Sequence, residues 1–164
     1  MMKHWSSKEG YQWLSRTVLV TVLWLLVACE KQVVFHQSVP ISDTQWNRLD
    51  TICFTPQVPD SGTVYQTYLE VRLLQSYPYL NLVIGYEYLS PENELLLSDT
   101  YELHTTDSYY DKNGSGLAGI YSYSGRLKSL PIEKAGNYTI RFFQLGNDSL
   151  LKGVQDVGVK LSRH

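Results

Sequence analysis

The residues after position 42 read as a single antiparallel β-sandwich. Two observations carry this. Short runs rich in Val, Ile, Tyr, Thr and Phe recur, with turn residues between them. No amphipathic stretch longer than two helical turns follows residue 29, so neither a helical bundle nor a βαβ arrangement has the elements it needs.

Each run can be justified in order. Val33-Val34-Phe35 is apolar and could dock as a first edge strand. Asp50 to Thr55 is a strand ended by Pro56 and Pro59, and Asp60-Ser61-Gly62 is a turn. In Val64 to Leu74, Tyr65, Thr67, Leu69, Val71 and Leu73 alternate with Gln66, Tyr68, Glu70 and Arg72, as a half-buried strand requires. Tyr79 to Leu89 is expected to be its antiparallel neighbour, with Leu80, Leu82, Ile84, Tyr86 and Tyr88 on one face and Asn81 and Glu87 on the other. Ser90-Pro91-Glu92-Asn93 turns the chain into Leu95 to Leu103. Thr105 to Gly116 is polar and reads as a loop. Strands resume over Gly119 to Ser129, Asn137 to Leu145 and Asp156 to Leu161. That makes about eight strands, a number and spacing suited to a sandwich.

The first 29 residues differ in kind. Lys3, Lys8 and Arg16 make a positive start, and Thr17 to Val27 runs without charge. Such a run suits the apolar core of a signal peptide and is too short to span a bilayer, which takes roughly 20 residues. It ends in Leu26-Val27-Ala28-Cys29, which resembles the lipobox of bacterial lipoproteins. That resemblance implies cleavage before Cys29 and acylation of its thiol. Small Ala28 lets a peptidase reach the backbone, and two or three acyl chains anchor a protein stably where one does so only marginally. The expected organisation is a signal peptide over 1–28, a lipidated Cys and tether over 29–42, and the sandwich over 43–164.

Removing residues 1–28 leaves 11 basic residues against 15 acidic ones, a net charge of −4. No basic cluster is present, so nucleic acid is excluded as a partner. Cys53 is the one cysteine left beside Cys29, so no internal disulfide is possible. Within Thr51-Ile52-Cys53-Phe54 it reads as a buried small hydrophobe rather than a reactive thiol.

No signature of a hydrolase, metalloprotease or nucleotide-binding enzyme occurs. His36, His104 and His164 are scattered. Asp107, Asp111, Asn113 and Gly114 fail the calcium-loop pattern, because Tyr109 and Ile120 stand where carboxylates belong. Glu92 and Glu94 read as solvated charges flanking a turn. The expectation is therefore no catalysis, no metal and no cofactor beyond a covalent lipid on Cys29, and no small-molecule ligand. The 13 tyrosines cluster at Tyr77/Tyr79, Tyr86/Tyr88, Tyr109/Tyr110 and Tyr121/Tyr123. Most suit half-buried strand positions. Tyr77, Tyr79, Asn81, Tyr109 and Tyr110 are the candidates for partner contact, since aromatic rings give large contact area at low entropic cost.

Four runs, in order, resemble the GldH-type gliding-motility lipoproteins of Bacteroidetes. They are Leu69-Glu70-Val71-Arg72, Tyr77-Pro78-Tyr79-Leu80-Asn81-Leu82, Gly136-Asn137-Tyr138-Thr139-Ile140 and Leu151-Lys152-Gly153-Val154-Gln155-Asp156-Val157-Gly158-Val159. The likeness extends from about Val33 to Leu161. Two places depart from the family pattern: Leu145-Gly146 stands where Met-Arg is usual, and Leu117-Ala118-Gly119 where Trp-Leu-Gly is usual. The resemblance implies a non-enzymatic role in the gliding apparatus and its linked type IX secretion machinery. It implies an outer-membrane lipoprotein whose partners are the membrane and other envelope proteins. Glu30-Lys31-Gln32-Val33 does not continue into an acidic cluster of the kind that sends lipoproteins to the cell surface, which favours the periplasmic side. The competing expectation is a carbohydrate-binding envelope lipoprotein, since β-sandwiches with exposed rings often bind glycans.

Overall fold

The computed structural model describes residues 33–59, 62–106 and 114–163. Cys29, Tyr109, Tyr110 and the Asp107–Asn113 run lie outside them. Two antiparallel sheets face each other. The larger contains β1 (Val33–Pro40), β5 (Thr63–Leu74), β8 (Ser115–Leu117), β9 (Ile120–Arg126) and β14 (Val154–Arg163), in the order β1-β14-β5-β9-β8, with β10 (Leu130–Ile132) also pairing with β5. The second contains β3 (Ile52–Phe54), β6 (Asn81–Leu89), β7 (Leu95–His104) and β12 (Thr139–Gln144), in the order β3-β12-β6-β7. Two short ladders close the ends: β2 (Gln45–Asn47) with β13 (Leu150–Lys152), and β4 (Gln57–Val58) with β11 (Gly136–Asn137). The expected all-β sandwich is the observed one. Among the described residues the helical element is one short 3-10 turn, Ser42–Thr44.

The main core lies between the sheets. Leu69, Val71, Leu73, Val157 and Val159 come from one layer; Phe54, Leu82, Ile84, Tyr86, Ile140 and Phe142 come from the other. The alternation read in β5 is the observed one, with Tyr65, Thr67, Leu69, Val71 and Leu73 all buried. A second, smaller core of Val58, Tyr65, Ile132, Tyr138 and Leu161 fills one end, and Val34 and Phe35 pack on it. The larger sheet thus begins at Val33, with β1 paired along β14 from Ser162 to Asp156.

Three expectations need correction. First, β5 and β6 are not neighbours. β5 pairs with β14, β9 and β10; β6 pairs with β12 and β7 in the opposite layer. The link between them crosses the end of the sandwich instead of forming a hairpin. Tyr77 is 4% exposed and plugs that end, and its hydroxyl donates to the Asn81 carbonyl at 2.9 Å. Second, Leu80 is 52% exposed. The ladder starts at Asn81, so Leu80 precedes the alternating face. Third, Cys53 is exposed. In a three-residue strand Ile52 and Phe54 take the two inward positions, and a period of two turns Cys53 outward.

Gly153 fixes how the end of the fold closes. Its φ is +86°, and an added Cβ would lie 2.9 Å from the Tyr77 Cα. A side chain here would be strained and would collide with backbone. Just beyond it the β14–β5 register shifts between Val154 and Asp156, a bulge that re-aims the strand.

Candidate functional site

The Tyr77-Pro78-Tyr79 segment opens into a groove of about 240 Å3 at the end of the sandwich where β5 stops and β14 begins. It is lined by Tyr77, Tyr79, Asn81, Leu82, Leu145 and Asn147, among others. Tyr77 forms the floor. Burial pushes its phenol far above the ordinary tyrosine range, with the neighbouring Tyr79 and Asp148 adding to the shift, so it stays neutral and acts as packing. Its ring meets Tyr79 edge to face, at a centroid distance of 5.8 Å and 71° between planes. Tyr79 is the wall that solvent reaches, at 40% exposure. Its hydroxyl donates to Asp148, and that bond holds the phenol above its ordinary pKa. The Asn81 amide donates to Glu102 at 2.5 Å on the open side of β6.

The opposite wall is the turn after β12, and it is pinned from three sides. Buried Gln144 donates to the Asp148 carbonyl at 2.9 Å and accepts from the Gly146 amide at 2.8 Å. Arg48 donates to the Gly146 carbonyl. Tyr79 reaches Asp148 from across the groove. The result is a preformed cleft with an apolar floor and an exposed Leu145 at its rim. Such a shape suits an inserted side chain from another protein.

Three of the five partner-contact candidates, Tyr77, Tyr79 and Asn81, are therefore brought together; Tyr109 and Tyr110 lie outside the described residues. Gln144, Leu145, Asn147 and Asp148 complete the cleft and were not singled out. A turn reading of Gly146-Asn147-Asp148 could have marked their loop, but nothing in the sequence places it against Tyr79.

A second, wider groove of about 540 Å3 runs over the outer face of the larger sheet, past His36, Ser38, Glu70, Arg72, Ser122, Ser124 and Asp156. Its charged side chains pair with one another. His36 Nε2 lies 2.7 Å from Glu70, Lys160 lies 3.3 Å from the same carboxylate, and Arg72 pairs with Asp156. The Asp156 side chain is 6% exposed. Burial holds its carboxyl above the usual aspartate range, while Arg72 pulls the other way. Among the described residues no group of three or more His, Cys, Asp or Glu is placed to hold a metal ion.

The Arg72–Asp156 pair gives a pH-dependent expectation. Arg72→Ala leaves a buried carboxylate without its cation and should destabilise the fold by about 2 kcal/mol near neutral pH. The folded-state pKa of Asp156 then rises further above its unfolded value. The penalty applies where the group is ionised and is relieved as it takes up a proton. The deficit against the parent chain should therefore shrink as pH falls toward about 4. Denaturant unfolding at several pH values measures it, and a deficit that stays flat or grows on acidification would contradict the assignment.

Comparison with known proteins finds similar chains. A gliding motility lipoprotein GldH homolog from Christiangramia forsetii is 22% identical over 154 residues, covering 89% of this chain and 93% of that one. Among solved structures, a protein from Sulfurospirillum deleyianum aligns at a TM-score of 0.45 and 12% identity, over 79% of this chain and 98% of that one. A CBM4 structure aligns at 0.37 and 11%, over 82% and 78%. The family model described as GldH lipoprotein matches residues 33–161, from the first residue of β1 into the last turn of ladder in β14. That span takes in the Tyr77–Leu82 wall of the cleft, the Leu145–Asp148 wall and all of the sandwich but the last two residues of β14, and the chain belongs to the GldH lipoprotein family.

Proposed function

We propose that the mature protein is a non-enzymatic, partner-binding lipoprotein of the gliding-motility and type IX secretion-associated envelope machinery. It is anchored by acyl groups on Cys29 in the outer membrane, with its domain in the periplasm. The observation that carries this reading is the family match over residues 33–161. The cleft between Tyr79 and Leu145 supplies what such a module needs: an apolar floor, a rigid rim and exposed anchors. Crosslinking in native membranes followed by mass spectrometry tests it. Motility or secretion envelope proteins should be recovered with the chain, and their consistent absence would overturn the reading. Leaflet and side are tested separately. A protease that cannot enter intact cells should leave the protein whole, and its degradation beside an untouched periplasmic control would show surface exposure.

The carbohydrate-binding reading takes second place on a specific observation. Glycan recognition by a sheet face calls for a row of exposed rings, yet Tyr65, Tyr77, Tyr86, Tyr88, Tyr123 and Tyr138 are all buried.

A further inference from the structure

The strand directions give the domain two distinct ends. Register pairs Val33 of β1 with Ser162 of β14, and Arg163 with Tyr65 of β5, so the start of β1, the end of β14 and the start of β5 share one rim. Pro131 of β10 joins them beside Val64. At the other end, Val154 pairs with Leu73, and Gly153 abuts Tyr77 at the floor of the cleft. β14 runs the whole distance in ten residues, about 30 Å at the usual rise.

Two exposed apolar side chains sit on the first rim. Val33 is 52% exposed and Val64 is 46% exposed. They occupy the same outer face, since Val33 is level with Ser162, Ser162 with Gln66, and Val64 precedes Gln66 by one period of two. Val33 is also four residues from Cys29. Even fully extended, four residues reach only about 14 Å. A lipid on Cys29 would place its glycerol at the bilayer interface, whose headgroup layer is about 6 Å deep on each side. The rim bearing Val33 then cannot leave the vicinity of the surface, and its exposed valines meet the one environment nearby that repays their burial.

We propose that the domain stands on the bilayer on this rim, with Val33 and Val64 in the headgroup layer, and presents the Tyr79–Leu145 cleft about 30 Å away, facing outward from the membrane. The lipid surface is the partner of one end and a protein is the partner of the other. This orientation rests on acylation of Cys29.

The test uses the full lipidated chain in vesicles of phosphatidylethanolamine and phosphatidylglycerol that carry a headgroup-nitroxide quencher. Cys53→Ser removes the exposed thiol, and a fluorophore is attached at Val64→Cys, at Val33→Cys or at Asn147→Cys on the cleft. Intact mass first establishes that the lipid is present; a chain without lipid refutes the anchor itself, independently of any quenching. With lipid in place, quenching at positions 64 and 33 should exceed that at 147 several-fold, and 147 should match a soluble, unlipidated control. Equal quenching at both ends, stronger quenching at 147, or none at any position would overturn the orientation. Using two rim positions keeps the test decisive if one substitution disturbs the local ladder.

Discussion

Cys29→Ala is expected to abolish both acylation and cleavage of the first 28 residues. The thiol is the only side chain in Leu26-Val27-Ala28-Cys29 nucleophilic enough to take a diacylglyceryl group. Cells expressing the variant and fed a palmitate analogue should show no label on the protein. Its intact mass should still include the leader. The change is all-or-none, because no neighbouring serine or lysine can substitute for a thioether link. A variant that still takes up label would remove the lipoprotein reading, and with it the orientation on the bilayer.

Phe142→Ala should be the most damaging of the simple core truncations. The side chain is fully buried in the middle of the second sheet, level with Ile52 on one side and Tyr86 on the other. It also meets Phe54 edge to face, with centroids 5.8 Å apart. Truncation removes buried ring surface and leaves a cavity between two sheets that cannot collapse freely. The cost should be about 3–5 kcal/mol, a large part of the stability of a domain of this size. In thermal terms that is a fall of about 10–20 °C. Cys53→Ser, on the exposed face of β3, should change stability by less than about 0.5 kcal/mol. Chemical denaturation of both variants measures the contrast. A Phe142→Ala loss near that of Cys53→Ser would mean that the inter-sheet core is not where the folding energy lies.

The long strands were legible because apolar residues recur at every second position. In β5 burial follows that period from Thr67 to Leu73, although Gln66 is buried too; in β14 Val157, Val159 and Leu161 keep the period in residue type, while Asp156, Gly158 and Ser162 beside them are also buried. β2, β4, β8, β10, β11 and β13 were not legible, being two or three residues long, too short for a period of two to declare itself; Ser115 and Gly116, read as the end of a loop, belong to β8 and pair with β9. Strand partnership was also hidden. Nothing in the residues of β5 and β6 distinguishes hairpin neighbours from facing layers, since both arrangements bury the same alternate side chains. The buried Tyr77 decides it by filling the end of the sandwich where a tight turn would have been. The same reasoning covers the cleft. Tyr77-Pro78-Tyr79-Leu80-Asn81 stood out as a local run, so half of the site could be named. The other half arrives from Gln144 to Asp148, more than sixty residues later, and only the sheet order sets it opposite Tyr79. Cys53 illustrates the converse. Its residue type favours burial, but its place in a three-residue edge strand sends it outward.

Site-resolved crosslinking in living cells tests the two-ended partner-binding module most directly. A photoreactive side chain at Leu145, on the rim of the cleft, should form an adduct containing an envelope protein of the motility or secretion machinery. The same group at Val64, on the rim beside the tether, should give no such adduct. No adduct at Leu145, or the same protein captured from both positions, would contradict a partner surface at the Tyr79 end of the sandwich.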